Sequence, residues 1–228
     1  MDDATRLATL AERAAAEVRA GMTLGLGSGS TAEAAIRALG QRVASGLRVR
    51  GVPTSERTAG LARTVGIPLL SLDEVDRLDL GIDGADEIDP ALNLVKGRGG
   101  ALLHEKLVAL ACADWLIVAA AEKLVPQLGT RMPLPVEIVP LGWRATAGRV
   151  AALGLTPTLR LQPGTTDPFV TDGGHYLLDC QTGPIGEPAE LAAALKALVG
   201  VVEHGLFVGL ARRALVVEAD GQVRALER

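Results

Sequence analysis

The chain has few aromatic residues, cysteines and histidines, and these shortages exclude several classes of protein. Among its 228 residues, aromatic side chains make up 2%, and there are only two cysteines and three histidines. The 27 aspartates and glutamates outnumber the 23 lysines and arginines, so the formal net charge is -4. A nucleic-acid-binding protein needs a basic surface or aromatic side chains on which bases stack. We therefore expect no nucleic-acid partner.

Metal-binding clusters, disulfide frameworks and long apolar runs are also missing from the sequence. Cys112 and Cys180 lie far apart in apolar segments, so we interpret them as small buried hydrophobic residues. No apolar run is long enough to span a bilayer, and the N-terminus lacks the basic and apolar regions of a signal peptide. The sequence predicts a protein of the reducing cytoplasm with neither a metal site nor a membrane contact.

Short apolar runs and helical stretches alternate through the first half of the chain, whose overall hydrophobic content is 48%. This alternation predicts an α/β fold, with a mostly parallel, Rossmann-like sheet wrapped by helices. The predicted strands are MTLGLG, LRVRGV, IPLL, LDLGID and WLIVAA, and the predicted helices include one near Leu61 and one over 102–111.

A second, smaller unit begins after a proline-rich boundary that follows Lys123. Its predicted elements occur in the order βαββαβ, which is the ferredoxin-like α+β arrangement. The last apolar run, RALVVEA, could rejoin the first sheet. We therefore predict an α/β catalytic domain over 1–130 and 207–228, with the small domain over 131–206 inserted into it.

The stretch GLGSGST at 25–31 stands between a predicted strand and a predicted helix. Glycines there let the backbone approach an anion, and the first N–H groups of the helix point at it. Because Ser30 replaces the third glycine of the dinucleotide motif and no P-loop lysine is present, a phosphate is the simpler ligand. Ser28, Ser30 and Thr31 would supply hydroxyl groups. In the alternative interpretation, Ser30 and Glu33 form an ordinary helix capping box.

Five carboxylates are gathered in DLGIDGADEID at 79–89, at the end of a predicted buried strand. A solvated surface run is the simpler explanation, but ligands of open α/β sheets bind at strand ends. We expect Asp83 and Asp86 to face a ligand if a helical turn follows the strand. Asp79, Glu87 and Asp89 should be solvated or structural.

A second glycine turn lies in LVKGRGGALLHEK at 94–106, between a short apolar run and a helix. Lys96 stands at this turn, and Glu105 lies within the first turns of the helix. Lys96 could be a solvated charge and Glu105 a complement to the helix dipole. Two glycine turns and one acidic strand end nevertheless form three candidate walls of a single pocket.

Six segments of the sequence together resemble ribose-5-phosphate isomerase of type A over essentially the whole chain. They are GLGSGSTA, GVPTSERTAGLA, IDGADEID, VKGRGGALLHEKLVA, LPVEIVP and FVTDGGHYLLDC. The resemblance implies interconversion of D-ribose 5-phosphate and D-ribulose 5-phosphate through an enediolate, in the non-oxidative pentose phosphate pathway. It also implies a small-molecule sugar phosphate substrate, no cofactor, and assembly as a homodimer or a homotetramer.

The resemblance also assigns the site residues. The catalytic residues would be Glu105, Asp83, Asp86 and Lys96. The substrate-binding residues would be Ser28, Gly29, Ser30, Thr31, Asp83, Gly84, Ala85, Asp86, Lys96, Gly97, Arg98, Gly99 and Lys123. The chain departs from the family pattern at Arg98, where many members have glycine, and at His104, where arginine is common.

The chemistry of the reaction agrees with these assignments. Glu105 can carry the proton between neighbouring carbons, while Lys96 and the N–H groups of Gly97 and Gly99 meet the oxyanion. Asp83 would open the furanose ring, and Asp86 would help to hold the sugar and Lys96. Because neighbouring carboxylates repel one another, Lys96 is also needed electrostatically.

Two other functions remain open at the level of the residues: a sugar-phosphate-sensing module and a coenzyme A transferase. A sensing regulator would need a DNA-binding segment, for which the chain leaves no room, and would have no use for Glu105 with Lys96. The acidic DGADE stretch and the first glycine turn argue against the transferase. His175, His204 and Trp115 are expected to be structural or surface residues, and TDGGHY to form a hairpin turn.

Overall fold

Two compact units make up residues 2–228, which are the residues described by the computed structural model. One unit comprises the chain up to Ala85 together with His104–Leu124 and Gly209–Arg228, and the other comprises Asp86–Leu103 and Val125–Val208. The helices are α1 Asp3–Ala16, α2 Ser30–Ala44, α3 Glu56–Thr64, α4 Leu102–Ala111, α5 Trp143–Ala151 and α6 Pro188–Lys196. The strands are β1 Thr23–Leu26, β2 Arg50–Pro53, β3 Leu78–Asp83, β4 Glu87–Ile88, β5 Leu94–Val95, β6 Cys112–Ala120, β7 Leu134–Ile138, β8 Thr156–Leu159, β9 Tyr176–Gln181, β10 Val201–His204, β11 Leu206–Phe207, β12 Arg213–Val217 and β13 Val223–Glu227.

The first unit is built on a six-stranded sheet in the order β13-β12-β6-β3-β1-β2. All its pairings are parallel except that of β12 with β13. Its core joins Leu24, Leu80 and Leu116 of the strands to Leu10 of α1 and Ile36 of α2. The predicted parallel sheet is confirmed, and RALVVEA does rejoin it as β12 beside β6.

The second unit contains a four-stranded antiparallel sheet in the order β10-β7-β9-β8. Its elements follow the predicted βαββαβ order, with α5 after β7 and α6 after β9. Val136, Ile138 and Leu178 of the sheet are fully buried with Val150 of α5 and Leu195 of α6. This is the ferredoxin-like arrangement that the sequence predicts.

A three-stranded sheet, in the order β11-β5-β4, also belongs to the second unit. The sequence places residues 86–103 in the α/β domain, but here they group with the second unit because β5 pairs with β11. The predicted strand VVEHGLF is two strands separated by Gly205. A Cβ atom at Gly205 would lie 2.2 Å from the carbonyl oxygen of Lys96, so only glycine allows this close approach.

Three smaller differences from the sequence-based expectations concern strands and turns. IPLL forms only an isolated bridge between Leu69 and Gly51, not a strand. Asp83 is followed by a short irregular loop and then by β4, so the helical turn on which the expectation for Asp83 and Asp86 depended does not form. In residues 2–228, no helix combines the length and the apolar character needed to cross a membrane.

Candidate active site

The first glycine turn lies in the first unit, between β1 and α2. The N–H of Gly27 donates to the carbonyl oxygen of Ile82 at 2.9 Å. A Cβ atom at Gly27 would lie 2.4 Å from the carboxylate carbon of Asp83, so a side chain there would displace this carboxylate. Gly29 adopts a φ of 90° immediately before α2, a backbone conformation that favours glycine.

The start of α2 does not carry the capping box of the alternative interpretation. Within the described residues, Gly29 is the N-cap and no side chain caps the helix. Glu33 instead pairs with Arg57, whose Nε lies 2.6 Å from Oε1 of the glutamate. The first N–H groups of an α-helix lack partners within the helix, so this N-terminus suits an anion.

The hydroxyl of Ser28 is held inside the turn by other hydroxyl groups. Its Oγ lies 2.7 Å from Thr54 Oγ1, 2.8 Å from Ser55 Oγ and 3.0 Å from Thr58 Oγ1. The sequence predicts this hydroxyl as a ligand donor, but the protein already engages it. Ser30 is exposed and Thr31 is half-buried at the start of α2, where both remain available to a ligand.

Asp83 is the last residue of β3 and is only 1% exposed. Its Oδ1 accepts from the N–H of Ser28 at 3.2 Å and from that of Gly84 at 2.7 Å. The carboxylate is therefore fixed against the glycine turn by two backbone donors. Hydrogen bonds of this kind stabilise the ionised form of a carboxylate.

A cavity of about 320 Å³ lies beside the start of α2 in the first unit. Its lining residues are Asp3, Arg6, Leu7, Leu10, Ser30, Thr31, Ala120, Glu122 and Val217. Arg6 is buried, and its guanidinium contacts Glu122 at 2.7 Å and Asp3 at 3.1 Å. The place of Arg6 beside this cavity could not be predicted from the sequence, because one arginine in an amphipathic helix carries no motif.

Glu105 and Lys123 also belong to the first unit. Glu105 lies in the first turn of α4 and is 5% exposed, although glutamates are seldom buried to this extent. Lys123 ends the 3-10 turn Ala121–Lys123 and is half-buried. His104, which precedes Glu105, is also half-buried.

Asp86 and Lys96 lie opposite each other in the second unit. β4 pairs with β5 so that Glu87 faces Val95, and the N–H of Asp86 donates to the carbonyl oxygen of Val95 at 2.8 Å. Lys96 is 3% exposed, and its Nζ lies 5.7 Å from the centre of the Phe207 ring. An ammonium group at this distance from an aromatic ring is stabilised by the ring's quadrupole.

The second glycine turn follows Lys96 directly. Gly97 and Gly100 adopt φ values of 105° and 85°. A Cβ atom at Gly97 would lie 2.8 Å from Leu102 Cδ2, whereas one at Gly99 would meet nothing within 4 Å. Arg98 is exposed, and its N–H donates to Asp86 Oδ2 at 3.0 Å.

The remaining acids of DLGIDGADEID have structural contacts, as the sequence predicts. Asp79 accepts from the N–H of Thr23 at 2.7 Å, and Asp89 accepts from the N–H of Asn93 at 2.8 Å. Glu87 is fully buried, and its carboxylate accepts hydrogen bonds from three backbone N–H groups of one loop, those of Gly129, Arg131 and Met132.

The histidines and cysteines outside these turns have structural surroundings. His175 Nδ1 lies 3.0 Å from Oε1 of the buried Glu137, and His204 is buried near Glu203. Cys180 is buried, as the sequence predicts, whereas Cys112 is only half-buried. Burial raises the pKa of both thiols to about 12. Residues 2–228 contain no group of three or more histidine, cysteine or acidic side chains arranged to hold a metal ion.

The structure thus places the site residues of the sequence analysis in two groups, one in each unit. Ser28, Asp83 and Gly84 share hydrogen bonds in the first unit, which also carries Glu105 and Lys123. Asp86 and Arg98 share a hydrogen bond in the second unit, beside Lys96, Gly97 and Gly99. Ala85 is half-buried at the end of the first segment of the first unit.

Comparison with known proteins identifies the family. The family model of ribose 5-phosphate isomerase A (phosphoriboisomerase A) matches residues 50–221. A ribose-5-phosphate isomerase A from a Synechococcus strain is 56% identical over 213 residues, which are 92% of either chain. The structure of ribose 5-phosphate isomerase A from Methanocaldococcus jannaschii matches with a TM-score of 0.94, 34% identity and 100% coverage of both chains. A D-ribose-5-phosphate isomerase in complex with phospho-erythronic acid matches with a TM-score of 0.96, 35% identity and the same coverage.

These comparisons define the class of protein, which is an isomerase with a parallel α/β sheet and a smaller antiparallel unit. More narrowly, the chain belongs to the ribose 5-phosphate isomerase A family. The family, the fold class and the enzyme class predicted from the sequence are all confirmed.

Proposed function

We propose that this chain interconverts D-ribose 5-phosphate and D-ribulose 5-phosphate through an enediolate, with Glu105 carrying the proton. The observation that carries the proposal is the burial of three ionisable side chains at the family's motifs. Asp83, Lys96 and Glu105 are 1%, 3% and 5% exposed. Burying ionisable groups costs free energy, and such groups concentrate at functional sites.

The central step moves one proton between two neighbouring carbons of the open-chain sugar. Glu105 removes the proton from C2 of the aldose, and the electron pair moves onto the carbonyl oxygen to form the enediolate. Lys96 and the N–H of Gly99 stabilise the negative charge on that oxygen. Protonated Glu105 then returns the proton to C1 and becomes a carboxylate again. Asp83 takes the hydroxyl proton from O2 and delivers it to O1, so that the C2=O bond of the ketose forms.

Ring opening precedes this step, because the sugar phosphate is mainly cyclic. Asp83 accepts the proton of the anomeric hydroxyl, the C1=O bond of the aldehyde forms as the bond between C1 and the ring oxygen breaks, and Asp83 returns the proton to the released ring oxygen. The backbone donors of Ser28 and Gly84 hold the Asp83 carboxylate in position for this task. Asp86 holds a sugar hydroxyl beside Lys96 and the second glycine turn.

The phosphate group binds at the start of α2. The uncapped N-terminus of this helix, the hydroxyls of Ser30 and Thr31 and the cavity next to Arg6 support this position. Lys123 supplies a further cation from the same unit. The other hydroxyl of the motif, that of Ser28, keeps the turn in shape through Thr54, Ser55 and Thr58.

The complex of a relative with phospho-erythronic acid supports the same chemistry. This ligand is a phosphorylated sugar acid, and its planar carboxylate places two oxygens much as the enediolate does. Groups that stabilise the enediolate oxygens should therefore also bind this acid.

Neither of the other functions is favoured. A sugar-phosphate-sensing module would need no base to bind the sugar. Burial of Glu105 would then cost folding free energy without serving a function. A coenzyme A transferase is disfavoured by the family match, which extends over residues 50–221.

The direct experiment is incubation of the purified protein with ribose 5-phosphate while the ketose product is followed. We expect turnover of ribose 5-phosphate and, at equal concentration, at least about a hundredfold less turnover of unphosphorylated ribose, because the phosphate provides binding energy for the reaction. Binding of ribose 5-phosphate without ketose formation would instead identify a sensing module.

Chelation offers a second check on the mechanism. Because Lys96 and backbone donors supply the positive charge for the oxyanion, we expect EDTA to leave the rate unchanged. Loss of activity in EDTA that a single divalent metal restores would contradict this part of the proposal.

Family likeness also leads us to propose a homo-oligomer, either a dimer or a tetramer, working in the cytoplasm. Leu141 and Val199 of the second unit are 89% and 81% exposed, and a subunit interface would remove such apolar side chains from water. Both cysteines are free thiols, which fits a reducing compartment. Analytical ultracentrifugation would measure the oligomeric state.

A further inference from the structure

Arg160, the residue after β8, joins the small antiparallel sheet to the second glycine turn within the second unit. Its Nε and Nη2 donate to the two carboxylate oxygens of Asp179 on β9, at 2.9 Å and 2.5 Å. Its Nη1 donates to the carbonyl oxygens of Gly97 at 3.1 Å and Arg98 at 3.0 Å. One guanidinium therefore donates hydrogen bonds to two successive peptide groups of the turn.

Asp86 holds the same turn from the opposite side. Peptide groups are planar and all those described here are trans, so each C=O points away from the N–H of the following residue. Since the carbonyl of Gly97 points at Arg160, the N–H of Arg98 points away from it, and this N–H does reach Asp86 Oδ2 at 3.0 Å. By the same geometry, the N–H of Gly99 also points away from Arg160.

Neighbouring groups restrict the movement of Arg160 and of the second glycine turn. The guanidinium carbon of Arg160 lies 5.8 Å from the centre of the Phe169 ring. The ring also approaches Gly100 so closely that a Cβ atom there would lie 2.6 Å from it. The N–H of Gly100 donates to the carbonyl oxygen of Gly97 at 3.0 Å, which closes the turn.

We propose that Arg160, oriented by Asp179, is a positioning residue that fixes the Arg98–Gly99 peptide group so that its N–H faces the sugar. This inference rests on the proposed function, in which the N–H of Gly99 stabilises the enediolate oxygen. An arginine is required because only its planar fork can hold a carboxylate with two donors and still donate to two carbonyl oxygens. Arg160 need not touch the substrate.

The test compares Arg160→Met with Arg213→Met. Arg213 is a matched control, because it also bridges carboxylates, those of Asp114 at 2.7 Å and Glu17 at 3.0 Å, but belongs to the first unit, whereas the turn belongs to the second. We expect Arg160→Met to lower kcat by about tenfold to a hundredfold, as small displacements of catalytic groups do. Arg213→Met should stay within about twofold of the unsubstituted protein.

Two inhibitors separate positioning from a general loss of structure. In Arg160→Met, the inhibition constant of phospho-erythronic acid should rise by about the same factor as kcat/KM falls, because its carboxylate needs the same donors. The inhibition constant of inorganic phosphate should not change, because the phosphate site lies at α2. Arg160→Lys keeps the charge but not the fork, and should resemble Arg160→Met.

Several results would overturn the inference. One is a kcat of Arg160→Met within about twofold of that of the unsubstituted protein. Another is an equal rise in the inhibition constants of phospho-erythronic acid and inorganic phosphate in Arg160→Met. If Arg160→Met does not fold, Asp179→Asn, which removes the orienting charge and keeps the shape, is judged by the same criteria. If the unsubstituted protein fails to convert ribose 5-phosphate, the proposed function itself is wrong and the inference falls with it.

Discussion

At the scale of single residues, the acids of DLGIDGADEID differ in role although they are close in sequence. Asp83 is buried and held by two N–H groups, whereas Asp79 on the same strand is exposed and accepts one. We expect Asp83→Asn to lower kcat for ribose 5-phosphate by on the order of a hundredfold, because an amide cannot take the proton of the anomeric hydroxyl. The measurement is steady-state turnover.

Asp79→Asn is the matched control for this substitution, since it makes the same chemical change on the same strand. Its turnover should stay close to that of the unsubstituted protein. Equal turnover in Asp83→Asn and Asp79→Asn would mean that Asp83 plays no part in ring opening.

Residues that lie in motifs could be singled out from the sequence, whereas residues whose partners are distant in the chain could not. The position of Asp83 at a strand end and that of Glu105 at a helix start could be predicted, because both have recognisable patterns. Arg160 could not, because its partners Gly97 and Arg98 are more than sixty residues away, at separations of 63 and 62. The engagement of the Ser28 hydroxyl likewise depends on residues of another loop.

At the scale of elements, the second glycine turn requires glycine at one position and tolerates a side chain at another. Gly97→Ala would place a Cβ atom 2.8 Å from Leu102 at a φ of 105°. We expect a loss of about 1–3 kcal/mol in the free energy of unfolding from the backbone strain, together with a lower kcat. Urea denaturation and steady-state kinetics measure the two effects.

Gly99→Ala is the control within the same turn, because a Cβ atom there meets nothing within 4 Å and Gly99 is not at a positive φ. Its stability should change by less than about 0.5 kcal/mol. If Gly97→Ala and Gly99→Ala were equally stable, backbone conformation would not be what requires glycine at position 97.

The elements themselves were predictable to different degrees. Strands such as β3 and β6 are long enough to show an apolar run, and both were predicted. The strands β4, β5 and β11 have two residues each, too few for any periodicity, and β5 and β11 are joined only by a long-range pairing. This pairing also explains why residues 86–103 group with the second unit.

At the scale of the whole molecule, the thiols of the half-buried Cys112 and the buried Cys180 make the free energy of unfolding depend on pH in the alkaline range. Burial, with the charge of Asp83 for Cys112 and of Asp179 for Cys180, raises each thiol pKa from 9.0 to about 12. Between these values the unfolded chain loses thiol protons that the folded chain keeps, so the free energy of unfolding should fall as pH rises. Urea midpoints measured from about pH 8 to about pH 10 follow this loss.

The double variant Cys112→Ala/Cys180→Ala isolates the contribution of the thiols from that of other groups that titrate at high pH. It should be less stable at neutral pH, because both side chains shrink, but its stability should fall less steeply with pH. Parallel pH profiles for the two proteins would show that the thiols do not cause the alkaline loss.

The central claim is that Glu105 moves a proton through an enediolate, and isomerisation of ribose 5-phosphate in heavy water followed by NMR tests it most directly. We predict that part of the ribulose 5-phosphate formed by the unsubstituted protein carries solvent deuterium at C1, because the proton held by the Glu105 carboxyl can exchange with the solvent before it is returned. Glu105→Gln should form the ketose at least about a hundredfold more slowly. Ketose formation by Glu105→Gln at the rate of the unsubstituted protein would contradict the account.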